Sequence, residues 1–235
     1  MPRDRERVVR VGCSGWNYDS WKEPFYAGRP PREWLELYAQ RFDTVELNTT
    51  FYRLPNRTAV EAWERTAPED FCFAVKVSRY ITHVKRLTDV EAGLAHLLER
   101  LEPLCKRGPF LWQLPPNFRR DDDRLGATLA ALPPGRHAFE FRHASWFADD
   151  VYDLLRAHGA ALVLTGEREV FTAPWTYVRF HHGTRGRRGN YSESELSEWA
   201  ERIRAWTVDV YAYFNNDWEA FAPRNALRLR ELVYA

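Results

Sequence analysis

The 235-residue chain reads as an α/β protein, a TIM-like (β/α) barrel of seven to eight parallel strands. Three observations predict it. Short β-rich runs alternate with helical stretches at an even pace, the rhythm of parallel strands joined by right-handed crossovers. No linker, low-complexity tract or composition break divides residues 1–235, so one domain is expected. Polar side chains recur on one parity near the strand ends, where barrel enzymes place their sites.

The first strand, Val8–Gly12, runs into Gly12-Cys13-Ser14-Gly15-Trp16. That turn is too short to match the phosphate loop which a doubly wound open sheet, the runner-up fold, needs. Pro30-Pro31 precedes the helix Arg32–Arg41, which leads to the strand Thr44–Asn48 and the helix Thr58–Thr66. The strand Cys72–Val77 is followed by the helix Asp89–Leu104. Pro115-Pro116 closes the strand Phe110–Leu114, and Pro133-Pro134-Gly135 closes the helix Arg120–Ala131. The strand Ala138–Arg142 leads to the helix Ala148–His158. The next unit is defective: only about ten residues, Gly166–Trp175, join the strands Ala161–Thr165 and Tyr177–His181, too few for a crossover helix. A capping box, Ser192 with Glu195, starts the helix Glu193–Trp206, and the strand Val208–Phe214 and helix Ala226–Leu232 complete the chain.

Composition excludes several classes. Lys and Arg number 34 against 33 Asp and Glu, so bulk charge does not bind nucleic acid, although a local basic patch still could. Cys13, Cys72 and Cys105 have the spacing of neither a disulfide framework nor a zinc site, which fits a reducing cytoplasm. No apolar stretch approaches the roughly 20 residues of a membrane span, and Met1–Arg10 lacks a signal-peptide core. The ten Trp residues must fill the core or line a cleft.

Parity sorts the strand side chains. Glu46 and Asn48 oppose Val45 and Leu47; Lys76 opposes Val75 and Val77; Glu140 and Arg142 oppose Phe139 and Phe141; Arg179 and His181 oppose Val178 and Phe180; Gln113 lies between Trp112 and Leu114. The apolar parity must pack on helices, so the polar one points into the barrel and converges on one basin at its C-terminal mouth. The basin carries a small excess of positive charge, which favours an anion and disfavours a divalent metal at Glu46, Glu140, His143 and His181. Trp16, Tyr18, Trp21, Phe25 and Tyr26 follow the first strand, Phe51 and Tyr52 the second, Trp146 and Phe147 the fifth, and Trp218 the eighth. Such aromatics fill the core or stack a base or sugar face. Ser14 lacks the flanks of a nucleophile elbow and reads as a backbone-bonding or ligand-binding hydroxyl. The loop Gly183–Tyr191 combines glycines and arginines before a capped helix, an arrangement expected to hold a phosphate or to stay solvated.

The motifs V-G-C-S-G-W (11–16), E-L-N-T-T-F-Y (46–52), F-A-V-K (73–76) and W-Q-L-P-P-N-F (112–118) resemble those of the domain-of-unknown-function 72, or YecE-like, family. The resemblance continues through F-E-F-R-H (139–143) with Ser145-Trp146, Y-V-R-F-H (177–181), Y-F-N-N (213–216) and A-P-R-N-A (222–226), from about Val9 to Leu232. It implies a TIM-like barrel and supplies no reaction. Two features depart from the family pattern: His182 stands before Gly183, and Thr165-Gly166-Glu167 replaces an acidic residue at the end of the sixth strand.

The leading functional expectation is a metal-independent enzyme, without a cofactor, acting on a small anionic, cyclic substrate by general acid/base chemistry. Glu46 or Glu140 would be the acid/base, Lys76 and Arg179 would hold the anion, and His181 would assist proton transfer. Ser14, Trp16, Asn48, Tyr52, Gln113, Arg142, His143, Trp146 and Asn215 would complete the binding site. The alternatives are a nucleic-acid-binding or nucleic-acid-processing barrel, supported by Arg185-Gly186-Arg187-Arg188 and the loop aromatics, and a non-catalytic ligand-binding barrel.

Overall fold

Alternating burial closes the sheet on itself. The computed structural model describes residues 7–166 and 168–235. Its strands are β1 (Val9–Ser14), β2 (Thr44–Leu47), β3 (Cys72–Lys76), β4 (Arg107–Gln113), β5 (His137–Glu140), β6 (Ala161–Leu164), β7 (Trp175–Phe180) and β8 (Asp209–Phe214). Every neighbouring pair is parallel, β8 with β1 included, so the expected (β/α) barrel is the fold and has eight strands. Val45, Leu47, Phe73, Val75, Trp112, Phe139, Val178 and Phe180 face outward into the main core under the helices. The opposite parity fills the barrel: Ala74, Leu111, Ala138, Ala161 and Val163 are small or aliphatic, and Tyr177 and Tyr213 fill the remaining space.

The helices are α1 (Trp34–Ala39), α2 (Thr49–Tyr52), α3 (Arg57–Thr66), α4 (Val90–Arg100), α5 (Asp122–Ala130), α6 (Asp149–Ala157), α7 (Glu193–Ala205) and α8 (Phe221–Tyr234). The capping box of α7 is present in full. Two short elements have no signal in the sequence pattern: α2, a single turn at the end of β2, and a π-helical turn, Tyr80–Val84, after β3. Helix α8 starts five residues before Ala226, because Pro223 lies in its first turn, where no backbone N–H is needed. Among the described residues, β6 and β7 are joined without a helix, as expected. Thr172 Oγ1 there donates to Ala160 O (2.7 Å) and accepts from Leu162 N–H (2.8 Å), strapping an extended segment along β6.

Gly12 lets β1 and β2 meet. Tyr38 of α1 inserts its hydroxyl between the strands, accepting from Cys13 N–H (2.8 Å) and donating to Thr44 O (3.0 Å). A Cβ at position 12 would lie 2.3 Å from Thr44 O and 3.0 Å from that hydroxyl. The wedge places Ser14 beside Glu46 in the ladder, which delivers the first pair of site residues.

Candidate anion site at the barrel mouth

Below the mouth lies a sealed ion layer. Arg179 donates from one guanidinium nitrogen to Glu46 (2.8 Å) and from the other to Glu140 (2.7 Å), and all three side chains are almost wholly buried. Ser14 and Tyr177 also donate to Glu46, the latter at 2.8 Å. Gln113 donates to Glu140 at 2.9 Å, Arg142 does so at 3.2 Å, and His181 Nε2 stands 3.3 Å away. Burial alone would raise both carboxyl pKa values, but Arg179 outweighs it together with Lys76, Ser14 and Tyr177 around Glu46 and with His181 and Arg142 around Glu140, so both lie below the usual range, Glu140 well below. The same guanidinium therefore fixes two carboxylates as anions.

Lys76 lies above this layer and, among the described residues, has no carboxylate within ion-pair distance. Its Nζ donates to Asn48 Oδ1 (3.2 Å) and sits 4.1 Å from the Phe51 ring centre. Burial, then repulsion from Arg179, outweighs the pull of Glu46 and Glu140 and pushes its pKa down to about 8. A cavity of about 400 Å³ opens over it, lined by Asn48, Phe51, Tyr52, Lys76, Arg79, His83, Gln113, Arg142 and Asn215. Among the described residues, no carboxylate lines it. Burial and the charges of Lys76 and Arg142 drive His83 down to about 4, so it is neutral. Two carboxylates beneath, Glu46 and Glu140, face four cations, Arg179, Lys76, Arg142 and Arg79, which leaves two positive charges in excess.

The barrel brings together most of the residues singled out from sequence, in three different settings. Lys76, Asn48, Tyr52, Gln113, Arg142 and Asn215 line the cavity. His181 is 27% exposed beside it, with Nε2 towards Glu140 and Nδ1 3.4 Å from Asn215 Nδ2. Ser14, Glu46 and Arg179 belong to the sealed layer, so both Glu46 oxygens are taken, and the one unpaired N–H of Arg179, at Nε, is buried away from solvent. Glu140 is likewise enclosed, and a carboxyl held so far down is a poor proton donor. Trp146 is core: it stacks on Phe141 (4.8 Å) and its indole donates to Phe118 O (2.8 Å). His143 caps the turn before Trp146, accepting from Ser145 N–H (3.1 Å). Trp16 lines a second cavity rather than the mouth itself. Sequence reasoning missed Tyr177, Arg79 and His83. Tyr177 shares the parity of Arg179 and so carried a signal; the other two lie around the unforeseen π-turn and carried none. Glu167 lies outside the described residues.

The β7 loop holds an anion already, and it is the chain's own. Glu195 Oε1 accepts from Thr184 N–H (2.7 Å), Thr184 Oγ1 (3.0 Å) and Arg185 N–H (3.2 Å), while Oε2 accepts from Ser192 N–H (2.8 Å). Arg185 pairs with Glu198 and Arg188 with Glu219. A phosphate at Gly183–Tyr191 would therefore find the N–H groups of Thr184 and Arg185 already taken.

Comparison with known proteins agrees with this architecture. Over 97% of this chain and all of the other, the structure superposes on a DUF72 family protein from Thermotoga maritima MSB8 with a TM-score of 0.85 and 29% identity. A DUF72 family protein from Enterococcus faecalis V583 gives 0.81 at 20% identity, over 97% of this chain and 96% of that one. The UPF0759 protein YunF of Bacillus subtilis (strain 168) is 25% identical, covering 96% of this chain and 95% of its own. YecE of Escherichia coli (strain K12), also named UPF0759, is 31% identical over 144 residues, which are 60% of this chain and 51% of that protein. The match to it thus spans only about half of YecE's length. Among the described residues no helix is long and apolar enough to cross a membrane. A family model described as "Protein of unknown function DUF72" matches residues 10–235, and the chain belongs to that family.

Proposed function

We propose that the barrel mouth binds a small phosphorylated or carboxylated substrate and turns it over by metal-independent acid/base chemistry. One observation carries this reading: among the described residues, the cavity is lined by Lys76, Arg79 and Arg142 and by no carboxylate. Such a lining attracts an anion and repels a divalent cation. Arg142 and Arg79 present N–H groups to the anion. Lys76, with its pKa pushed down to about 8, holds a usable fraction of free amine near neutral pH and accepts the substrate proton. His181, backed by Glu140 as its counter-ion, returns a proton to the product. Glu46 and Arg179 are positioning residues, and the sealed layer supplies the fixed charges against which Lys76 is tuned.

The test is calorimetric titration of wild type, Lys76→Met and Arg142→Ala with inorganic phosphate, sulfate and ribose 5-phosphate. Each charge-assisted bond lost should weaken binding about 10- to 100-fold. Equal affinity in all three proteins would remove the mouth as an anion site.

A further inference from the structure

We infer that the substrate is a ring-bearing phosphate of nucleoside-monophosphate type, its flat ring seated in an aromatic groove beside the mouth. The inference rests on the anion reading above and extends it. The groove is a second cavity of about 700 Å³, lined by Trp16, Tyr18, Leu35, Tyr52 and Trp63 among others. Asn48 and Tyr52 line both cavities, so the two adjoin as one stepped cleft, with Lys76, Arg79 and Arg142 at one end and the Trp and Tyr rings, flanked by Arg32 and Arg53, at the other. Together they have the size and the mix of apolar wall and few polar groups expected of a small-molecule site.

The rings are fixed without a ligand. Tyr18 donates its hydroxyl to Ser14 O (2.5 Å), and Tyr26 donates to Trp16 O (2.5 Å). Trp16 and Trp63 meet edge to face at 5.6 Å. Tyr52, at the step between the cavities, is 70% exposed and meets the Phe51 ring edge to face. Pre-set aromatic walls stack a flat ring at little entropic cost. Asn17 and Asn48 bring amide donors and acceptors to the ring edge and the linker. A single-stranded nucleic acid is the less favoured occupant, because two of the three arginines that would extend a basic track past the mouth, Arg185 and Arg188, are paired with Glu198 and Glu219, which leaves Arg187 to it.

The experiment titrates wild type with adenosine 5′-monophosphate, ribose 5-phosphate, adenosine and a ten-residue oligoadenylate, and repeats it with Trp63→Leu and Ala62→Trp. Trp63→Leu removes a wall; Ala62→Trp fills the groove from a half-exposed site on α3, and serves alone if the first variant does not fold. The monophosphate should bind at least tenfold more tightly than ribose 5-phosphate, and that margin should vanish in both variants while ribose 5-phosphate affinity stays. Equal affinity of the two phosphates in wild type would overturn the ring site and leave the anion site standing. Adenosine binding as tightly as its monophosphate would overturn the two-part ligand, and so would an oligoadenylate that binds more tightly still with a steep salt dependence. If no phosphate-bearing probe binds, the anion reading itself fails.

Discussion

The loop after β7 and the cavity above β3 both look basic, yet they are opposites. In the loop, Arg185 and Arg188 meet surface carboxylates and the backbone donors close on Glu195. At the mouth, among the described residues, Lys76 and Arg79 have no acidic partner, and Arg142 pairs with a carboxylate already held by Arg179. Charge in a sequence therefore says little about charge on offer. What matters is whether the fold supplies each cation with its own acceptor. Arg179 is the extreme case, a cation between two acids and wholly withdrawn from solvent.

Breaking that extreme case should have the largest effect. Arg179→Met leaves Glu46 and Glu140 buried without their counter-charge, and urea denaturation at pH 7 should show a loss of roughly 3–5 kcal/mol. Their native pKa values are depressed, so in wild type they contribute stability above the unfolded carboxylate pKa that is lost as pH falls through the folded values. In the variant that acid dependence should reverse, since protonation relieves the uncompensated charges.

Lys76 gives the opposite sign. Its native pKa of about 8 lies below the usual 10.5, so between those values the unfolded chain binds more protons and stability rises with pH. Below about pH 8 the burden is fully present. Lys76→Met should relieve it, stabilising the fold at pH 7 by on the order of 3 kcal/mol. Stability curves of the two proteins that run parallel from pH 7 to 10 would refute the assignment.

Glu195→Ala should empty the β7 loop, costing about 1–3 kcal/mol through unsatisfied N–H groups and the lost cap. It should also convert the loop into an anion site, so that sulfate raises the melting temperature of the variant more than that of wild type. The smallest effect belongs to the surface pairs: Arg185→Ala with Arg188→Ala should change stability by roughly 1 kcal/mol or less and leave phosphate affinity unaltered. A large loss of affinity in that double variant would place the anion at the loop after all.

The barrel was legible because parallel strands buried on both faces still alternate when one face is a polar interior. Val45-Glu46-Leu47 and Val178-Arg179-Phe180 show the alternation directly. The convergence of these polar side chains at one end of the barrel was legible too; the setting of each one was not. Parity places Glu46 and Lys76 in the same barrel, but depth comes from strand stagger, which sets Ser14 beside Glu46 and Glu140 beside Gln113 while Lys76 stands higher. Trp146 and Trp16 follow strands in the same way, yet one is stacked into the core and the other lines a groove. That difference depends on helices far along the chain, where no local pattern reaches. Trp63 was out of reach for the same reason, since on α3 it reads as an ordinary helix residue.

The helix-free link after β6 has a kinetic consequence. Strand β6 shares only two register pairs with β5 and two with β7, whereas β7 and β8 share six. At the N-terminal end of β6 the Thr172 hydroxyl donates to Ala160 O and accepts from Leu162 N–H, a strap made by one side chain. Amide hydrogens of Ala161–Leu164 should thus exchange with solvent deuterium sooner than those of β8, through local openings that leave the rest of the ring zipped. The cylinder has a seam, and it lies next to the strand that carries Arg179.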